Sequence, residues 1–507
     1  MNAYDLPAVR PESVGIAPEW IEDFLKLAEK RRIRLHGLTL LRSGSVAAEI
    51  YWKPFHHDYT HRLYSSTKSL VSTAIGIASD RGLLSLDDPI IRFFPDLVDR
   101  NTIHPYVAEA TVRDLLRMMS PFSRATYDDP DIAGKEWLAS YFRTRPDHPA
   151  GTLYHYDSCG SYVLGAIVKR VTGMDFFAYL RENLFGELGV SADARCLKGP
   201  DGELWAGSAA IMRLCDFAKI AQLYLNRGRW NGKQLLSEEY ALAATSRQVD
   251  NNTANENSPW LCGYGYQFWI LPENAFAMVG MGSQLAICVP SKNLVFACMA
   301  DTQGSHGGHE TIYETLWQTI VDRLTPEVSP LPLQNEVYAR LRAKTENLTL
   351  APVAGASETA VSACINHRRY RLDDNPMQIS DLTVHLDENG GVLVWRNPRG
   401  EKRLPFAFGE YLPTTFPETH FNGERLGEPA NREFEALACG AWVSEHTLCI
   451  HCCIIDIYFG NITIALSFKN DQIAVSMHKT AQFFLKEYQG FAGGTAVWEE
   501  SKQEETR

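Results

Sequence analysis

The sequence predicts an α+β architecture: an antiparallel sheet flanked by helices, with a helical insertion, followed by a C-terminal all-β domain. Three observations predict it. Short apolar runs joined by turn residues occur at "LHGLTLLRSGSVAAEIYW" and again from "YGYQFWIL" to "NLVFACMAD", as in strands that pair through tight turns. Between these runs the pattern is mostly helical, with Pro- and Gly-rich loops, so the sheet is built from both ends of one region. Beyond residue 346 polar and apolar residues alternate, as in half-buried strands. At 507 residues the chain exceeds what one core supports. The predicted boundaries are a first domain over 1–328, a linker with a short helix over 329–345, and a β-rich domain over 346–507.

The elements follow in order. A helix is expected around Glu19 to Arg31, then a hairpin about "RSGS". Ser65 to Arg81 reads as a helix ended by Gly82, because a glycine takes the left-handed conformation that closes a helix. Leu70, Val71, Ala74, Ile75, Ile77 and Ala78 cover most of its circumference, which marks a helix buried on several sides. "TVRDLLRMM" and "DFFAYLRENLF" are helical, "AFAMVG" and "QLAICVP" are strands, and "ETIYETLWQTIVDRL" is a helix. "LTPEVSPLPLQNE" holds three prolines and reads as a linker. In the last domain Asn389-Gly390 marks one hairpin turn and "ITIALSFKNDQIAVSMHK" another. The tail "EESKQEETR" is expected to fray.

Composition narrows the function. A net charge of −12 with no long basic tract argues against nucleic acid or an anionic membrane as partner. No run is long and apolar enough for a membrane span. The opening "MNAYDLPAVRPESVGIAPEW" has polar residues where a secretory signal is apolar. Eleven cysteines, an odd number without repeated spacing, suit reduced thiols, so the expectation is a cytoplasmic protein. "CIHCCIID" has a C-x-x-C spacing, but in a strand Cys449 and Cys452 face opposite sides and cannot share an ion. "HGGHE" at His306 to Glu310 lacks the helical spacing of a zinc pair. No metal or cofactor is called for.

The stretch "HRLYSSTKSL" carries the chemistry. Lys68 falls in the first turn of a core helix, where burial and the helix dipole both disfavour a cation. It stands three positions after Ser65, so both lie on one face. Burial lowers a lysine pKa, and an uncharged amine can take a proton from a serine. Alternatively, Ser65 is a capping serine beside a lysine whose stem lies along the surface. A second acid-base group is offered by "GTLYHYDSCGSYVLG", in which Tyr156, Asp157 and Ser158 precede a helix.

Taken in order, these stretches resemble the serine β-lactamase and penicillin-binding-protein superfamily, in its class C branch with related esterases and D-aminopeptidases. Its S-x-x-K is similar to Ser65–Lys68, and its Y-x-N or Y-x-S to Tyr156–Ser158. "RSGSVAAE", "GLLSLDDPI", "LFGELGV" and "DFAKIAQLYLNRGRWNGKQLL" extend the likeness over about residues 8 to 325. The third element, K-T-G or H-x-G on a strand, resembles "VGMGSQLAICVP" with Met281 in place of the cation, then Gly282 and Ser283. Methionine cannot hold a carboxylate, which disfavours β-lactam and D-Ala-D-Ala substrates. Pro121 and Glu187 also depart from the family, in loops.

The resemblance implies an acyl-enzyme on Ser65, with Lys68 and Tyr156 sharing the proton transfers. The oxyanion hole would be the backbone N–H groups of Ser65 and Gln284. Ser158, Met281, Gly282, Ser283 and His306 would meet substrate, and Tyr264, Tyr266 and Trp269 belong either to the cleft wall or to the sheet core. The leading expectation is a hydrolase of a small ester or amide. The alternatives are a peptidase or amidase for D-amino-acid peptides, and a silent member acting as a binding module. The absence of G-x-S-x-G disfavours a Ser-His-Asp hydrolase. The β-rich domain has no chemical motif; covering the cleft and self-association into a homo-oligomer are the two roles left to it.

Overall fold

Ser43 and Gly44 both take left-handed backbone, φ 53° and 74°, the two-residue turn that joins twisted strands without splaying them. They connect β1 (Leu35–Arg42) to β2 (Ser45–Tyr51), after helix α1 (Pro18–Lys30). The structure is a computed structural model that describes residues 6–99, 101–128, 136–254, 256–304, 307–419, 432–480 and 484–497. Contacts divide the chain into two compact units, with the break at Thr349–Leu350.

In the first unit β3 (Thr60–Arg62) leads into helix α2 (Thr67–Asp80). The helix closes as Gly82 (φ 69°) donates to the Ser79 carbonyl at 2.8 Å and Leu83 to that of Ala78 at 3.0 Å. The helical insertion includes α3 (Val112–Leu116), α4 (Ser158–Thr172) and α5 (Leu214–Leu225), and β4 (Ala210–Arg213) pairs with β3. The chain then returns through β5 (Trp269–Ile270), β6 (Phe276–Gly280), β7 (Gln284–Val289) and β8 (Leu294–Ala300). The sheet order is β2-β1-β8-β7-β6-β5, antiparallel throughout. On one face α1 and α6 (Gly308–Thr319) bury Phe24, Leu25, Ile312 and Leu316 against Leu38, Ile287 and Phe296. All eight residues of β1 are buried, since both faces of the sheet are covered. Among the described residues no helix is long and apolar enough to cross a membrane.

Two expectations change. "YGYQFWIL" is a strand only at Trp269–Ile270. Upstream, Tyr264, Tyr266 and Gln267 send their N–H groups to the carbonyls of Val249, Ala244 and Leu116 instead of to a neighbouring strand. The segment after residue 324 is not a free linker. Buried Arg42 donates to the Thr325 carbonyl at 2.5 Å and the Val14 carbonyl at 2.9 Å, and Leu331 donates to that of Glu12 at 2.8 Å. Helix α7 (Asn335–Thr345) is held to α1 by the fork of Arg340 on Glu22, at 2.9 and 2.8 Å.

The second unit is a ten-stranded barrel. Its strands are β9 (Arg369–Leu372), β10 (Asp381–Leu386), β11 (Gly390–Asn397), β12 (Gly400–Phe408), β13 (Leu412–Phe416), β14 (Phe434–Ser444), β15 (Thr447–Ile455), β16 (Phe459–Lys469), β17 (Gln472–Lys479) and β18 (Gly490–Ala496). The order is β12-β11-β10-β9-β18-β17-β16-β15-β14-β13, and a short parallel pairing of β12 with β14 closes the ring. The hairpin at Asn389-Gly390 forms one residue out of the expected place. Gly390 starts β11, and Asp387 accepts from the N–H groups of Asn389 and Gly390 at 2.8 and 2.9 Å. Cys449 and Cys452 lie in one unbroken strand, opposite Ala441 and Ala438, and so on opposite faces.

Candidate active site

The run of hydroxyls before α2 serves two purposes. Ser66 Oγ donates to the Gln284 carbonyl at 2.8 Å, and Thr67 Oγ1 accepts from the Ala210 N–H at 3.0 Å. Ser69 Oγ donates to the Gln267 carbonyl at 2.7 Å. These buried hydroxyls tie the helix to β7, to β4 and to the loop before β5. Each bond is worth about 1 kcal/mol net, and leaving the partner unpaired costs about 1–3 kcal/mol. Ser65 differs, being only half-buried. It sits in a 3₁₀ turn, Tyr64–Ser66, that α2 continues, and Tyr64 ahead of it has φ 47°. A bulky residue in left-handed backbone is costly and persists only where its surroundings hold it. Here Arg62 does so, 4.6 Å from the centre of the Tyr64 ring and bonded to the Ser208 carbonyl at 2.9 Å.

Lys68 Nζ lies 3.1 Å from Ser65 Oγ and donates to the Gly207 carbonyl at 2.6 Å. Its side chain is buried, 1% exposed. Gly207 is required there. A Cβ would come within 2.9 Å of the Ser158 carbonyl oxygen and 3.3 Å of Ser158 Cβ, so a larger residue would push the loop off α4. Ser158 therefore borders the site through the same loop that holds the lysine. Tyr156 meets Lys68 by its ring, whose centre is 4.9 Å from Nζ. The ring is stacked on half-buried Trp269 at 5.7 Å and meets Tyr264 edge-on at 6.4 Å. Among the described residues the Tyr156 hydroxyl has no hydrogen bond. Buried Tyr264 has its phenol pushed well up, by burial and then by Tyr156 and Tyr154. Tyr266 belongs to the core and accepts from Arg113 at 2.7 Å.

Asp157, next to Tyr156, caps α4. Its oxygens accept from the N–H groups of Cys159 at 2.7 Å and Gly160 at 2.9 Å. Burial nevertheless raises its carboxyl, a shift that the hydrogen bonds from the two backbone N–H groups oppose. The Asp157 N–H meets Met118 Sδ at 3.2 Å and His155 donates to the Met118 carbonyl at 2.9 Å, so the tyrosine is held from both sides.

The third element is the turn between β6 and β7, not part of a strand. β6 ends at Gly280, where a Cβ would lie 2.0 Å from the Leu63 carbonyl oxygen, so only glycine lets the hairpin touch the backbone before the nucleophile turn. Met281 and Gly282 are half-buried. Ser283, expected to meet substrate, is buried, and its hydroxyl bonds Thr302 Oγ1 at 2.6 Å because φ 69° turns it inward. Gln284 is also buried, its amide donating to the carbonyls of Ala300 at 2.7 Å and Met281 at 3.2 Å. His306 lies outside the described residues. Two contributors had escaped the sequence reading: Gly207, for which no local pattern exists, and Gln267, a polar residue within an aromatic run.

Comparison with known proteins bears on the family and the fold. The family described as Beta-lactamase matches residues 22–319. The chain is 25% identical over 262 residues to a 6-aminohexanoate-dimer hydrolase of Paenarthrobacter ureafaciens, covering 48% of this chain and 66% of the relative. It is 24% identical over 216 residues to the esterase/beta-lactamase LipL of Mycobacterium tuberculosis, covering 40% of this chain and 48% of that one. The match thus spans just under two-thirds of the first relative's length and about half of the second's. A candidate 6-aminohexanoate-dimer hydrolase from Bacillus anthracis shares the fold, with a TM-score of 0.52 at 15% identity over 64% of this chain and 89% of that one. With the family's pattern running through more than half of its length, from α1 to α6, this chain belongs to the Beta-lactamase family.

Proposed function

We propose that the protein cleaves a small ester or linear amide through an acyl-enzyme on Ser65. One observation carries this: of the hydroxyls at the head of α2, Ser65 is half open and lies 3.1 Å from the Lys68 amine, while Ser66, Thr67 and Ser69 are buried struts. Ser65 Oγ bonds to the acyl carbon as its proton passes to Lys68 or Tyr156. The alcohol or amine leaves with a proton, and water then repeats the sequence to free the acid. For Lys68 to take that proton its nitrogen presents a lone pair to Ser65, and the Gly207 carbonyl holds one of its N–H groups. The oxyanion is met by the Ser65 N–H, which a helix leaves unpaired in its first turn. We place the second donor at the backbone N–H of Gln284, where β7 leaves the β6–β7 turn and its carbonyl is already bonded by Ser66 beside the nucleophile.

Stacked Tyr156 and Trp269 give the cleft an aromatic wall, and Met281 offers no charge to a carboxylate. Both favour an uncharged acyl group. Two relatives are described as a 6-aminohexanoate-dimer hydrolase and an esterase/beta-lactamase, and the ester and amide classes proposed here follow those descriptions. A fluorophosphonate probe with intact-mass analysis tests the reading. One adduct on the wild type and none on Ser65→Ala is expected; no adduct, or equal labelling of both, defeats it. Hydrolysis of p-nitrophenyl esters is expected, with nitrocefin turned over weakly or not at all. Fast nitrocefin turnover would show that Met281 is no barrier to acidic substrates.

A further inference from the structure

Gln267 is 2% exposed and has φ 66°, a conformation a non-glycine residue keeps only when it is held. It is held on every side. Its backbone N–H donates to the Leu116 carbonyl at 3.1 Å, and its carbonyl accepts from Ser69 Oγ at 2.7 Å. Its side-chain oxygen accepts from Ser161 Oγ at 2.7 Å. Its side-chain nitrogen donates to the carbonyls of Leu115 and Leu116 at 2.9 and 3.0 Å.

These partners border each part of the site. Ser69 is next to Lys68 on α2. Ser161 is in the first turn of α4, the helix that Asp157 caps directly after Tyr156. Leu115 and Leu116 end α3, two residues before Met118, which holds His155 and Asp157 on either side of the tyrosine. Trp269, the stacking partner of Tyr156, is two residues along the chain. One buried residue thus joins the lysine's helix, through its backbone carbonyl, to the tyrosine's helix and the end of α3, through its side-chain amide.

We propose that Gln267 is a positioning residue that fixes the separation of Tyr156 from Ser65 and Lys68; this rests on the hydrolase function proposed above. Gln267 touches no reacting atom and acts through Ser69, Ser161 and the end of α3. Displacing a reacting group by about 1 Å costs on the order of a hundredfold in rate, so losing this brace should register in turnover before it registers in binding.

The test is steady-state hydrolysis of p-nitrophenyl butyrate by the full chain, with kcat, KM and the pH dependence of kcat measured for wild type, Gln267→Met and Ser161→Ala. Methionine keeps the length of the side chain and removes its hydrogen bonds. For folded Gln267→Met we expect kcat down about tenfold or more, KM within about threefold, and the pH profile of kcat displaced. For Ser161→Ala, which removes one bond, a smaller loss in the same direction is expected. A folded Gln267→Met with kcat and pH profile within about twofold of wild type overturns the proposal, as does a loss that only tracks the unfolded fraction. If Gln267→Met does not fold, Ser161→Ala decides: an unchanged kcat and profile overturns it. A wild type that takes no adduct on Ser65 defeats the hydrolase reading and this proposal together. A wild type that labels and turns over, with variants like it, defeats this proposal alone.

Discussion

Tyr156 turns its ring to Lys68 and its face to Trp269, and its hydroxyl is unbonded among the described residues. Two duties can therefore be separated at one position. Tyr156→Phe keeps the stacked wall and removes the proton carrier, so kcat should fall about a hundredfold with KM little changed. Tyr156→Ala removes the wall as well and should raise KM. Steady-state ester hydrolysis checks both. A phenylalanine variant within about threefold of wild type would leave the proton transfers to Lys68 and water, with Tyr156 as wall alone. Lys68 is more constrained, because the bonds to Ser65 and Gly207 fix its nitrogen from two sides. Lys68→Arg should be as inactive as Lys68→Met, since a guanidinium stays charged and its planar fork does not fit a site shaped for one nitrogen. Initial rates on the same ester decide this, and an arginine variant of near wild-type rate would contradict it.

The elements matter through close backbone contacts. Gly280 is the clearest: a methyl group there would fall 2.0 Å from the Leu63 oxygen. Gly280→Ala must displace either the β6–β7 turn or the nucleophile turn. We expect a loss of about 1–3 kcal/mol in a urea melt and slow labelling of Ser65. A second effect centres on β3, which runs into the nucleophile turn. Its His61 Nε2 lies 3.2 Å from His36 Nδ1 of β1, with Phe55 stacked on His36 at 3.9 Å. Burial pushes the His61 imidazole down to about 3. It holds His36 well below its usual range too, with His61 and Arg34 adding to the effect. Both rings are neutral when folded and protonate near pH 6.5 when unfolded. Below pH 6.5 the unfolded chain binds the extra protons, so stability is lost as pH falls from there toward 3. Each ring should cost about 1.4 kcal/mol per pH unit below 6.5. Between pH 7.5 and 5, His61→Phe should lose about 2 kcal/mol less than wild type, and an equal loss would refute this. The same elements show what the sequence could reveal. The capped helix α2 and the "RSGS" hairpin were legible, because a glycine or a turn pair encodes them locally. The late start of the "YGYQFWIL" strand, the Met281–Ser283 turn and the Gly207 carbonyl were not, because each depends on a partner far along the chain.

At the scale of the whole molecule, the order of Ser65, Lys68 and Tyr156 along the chain was readable, and the division of the chain was readable only in outline. Prolines suggested a linker from residue 324, yet that segment is bound to the sheet unit by chemistry no composition reveals. Arg42 holds Thr325 and Glu327 by their carbonyls, and Lys292 Nζ donates to the Leu324 carbonyl at 2.6 Å. Glu22, 3% exposed and bonded by Arg340, has its carboxyl lowered by that bond. A carboxylate buried this far is costly once its partner is removed. Lys53 N–H also donates to the Leu348 carbonyl at 2.9 Å, next to the break at Thr349. The place of truncation should therefore decide the outcome. A fragment ending at Thr349 keeps the Arg340–Glu22 fork and the Lys53–Leu348 bond, and it should fold in one cooperative transition and label at Ser65. A fragment ending at Val328 loses α7 and the Arg340–Glu22 fork together, leaving Glu22 with Lys26 at 3.7 Å, and it should melt lower and label less, most visibly near neutral pH where the fork is fully charged. As pH falls through the lowered titration of Glu22 the paired form loses this advantage, so the two melting curves should converge under acid. Thermal melts of both fragments from pH 7.5 to 3 with probe labelling measure this, and equal stability at neutral pH would show that α7 contributes nothing to the sheet unit.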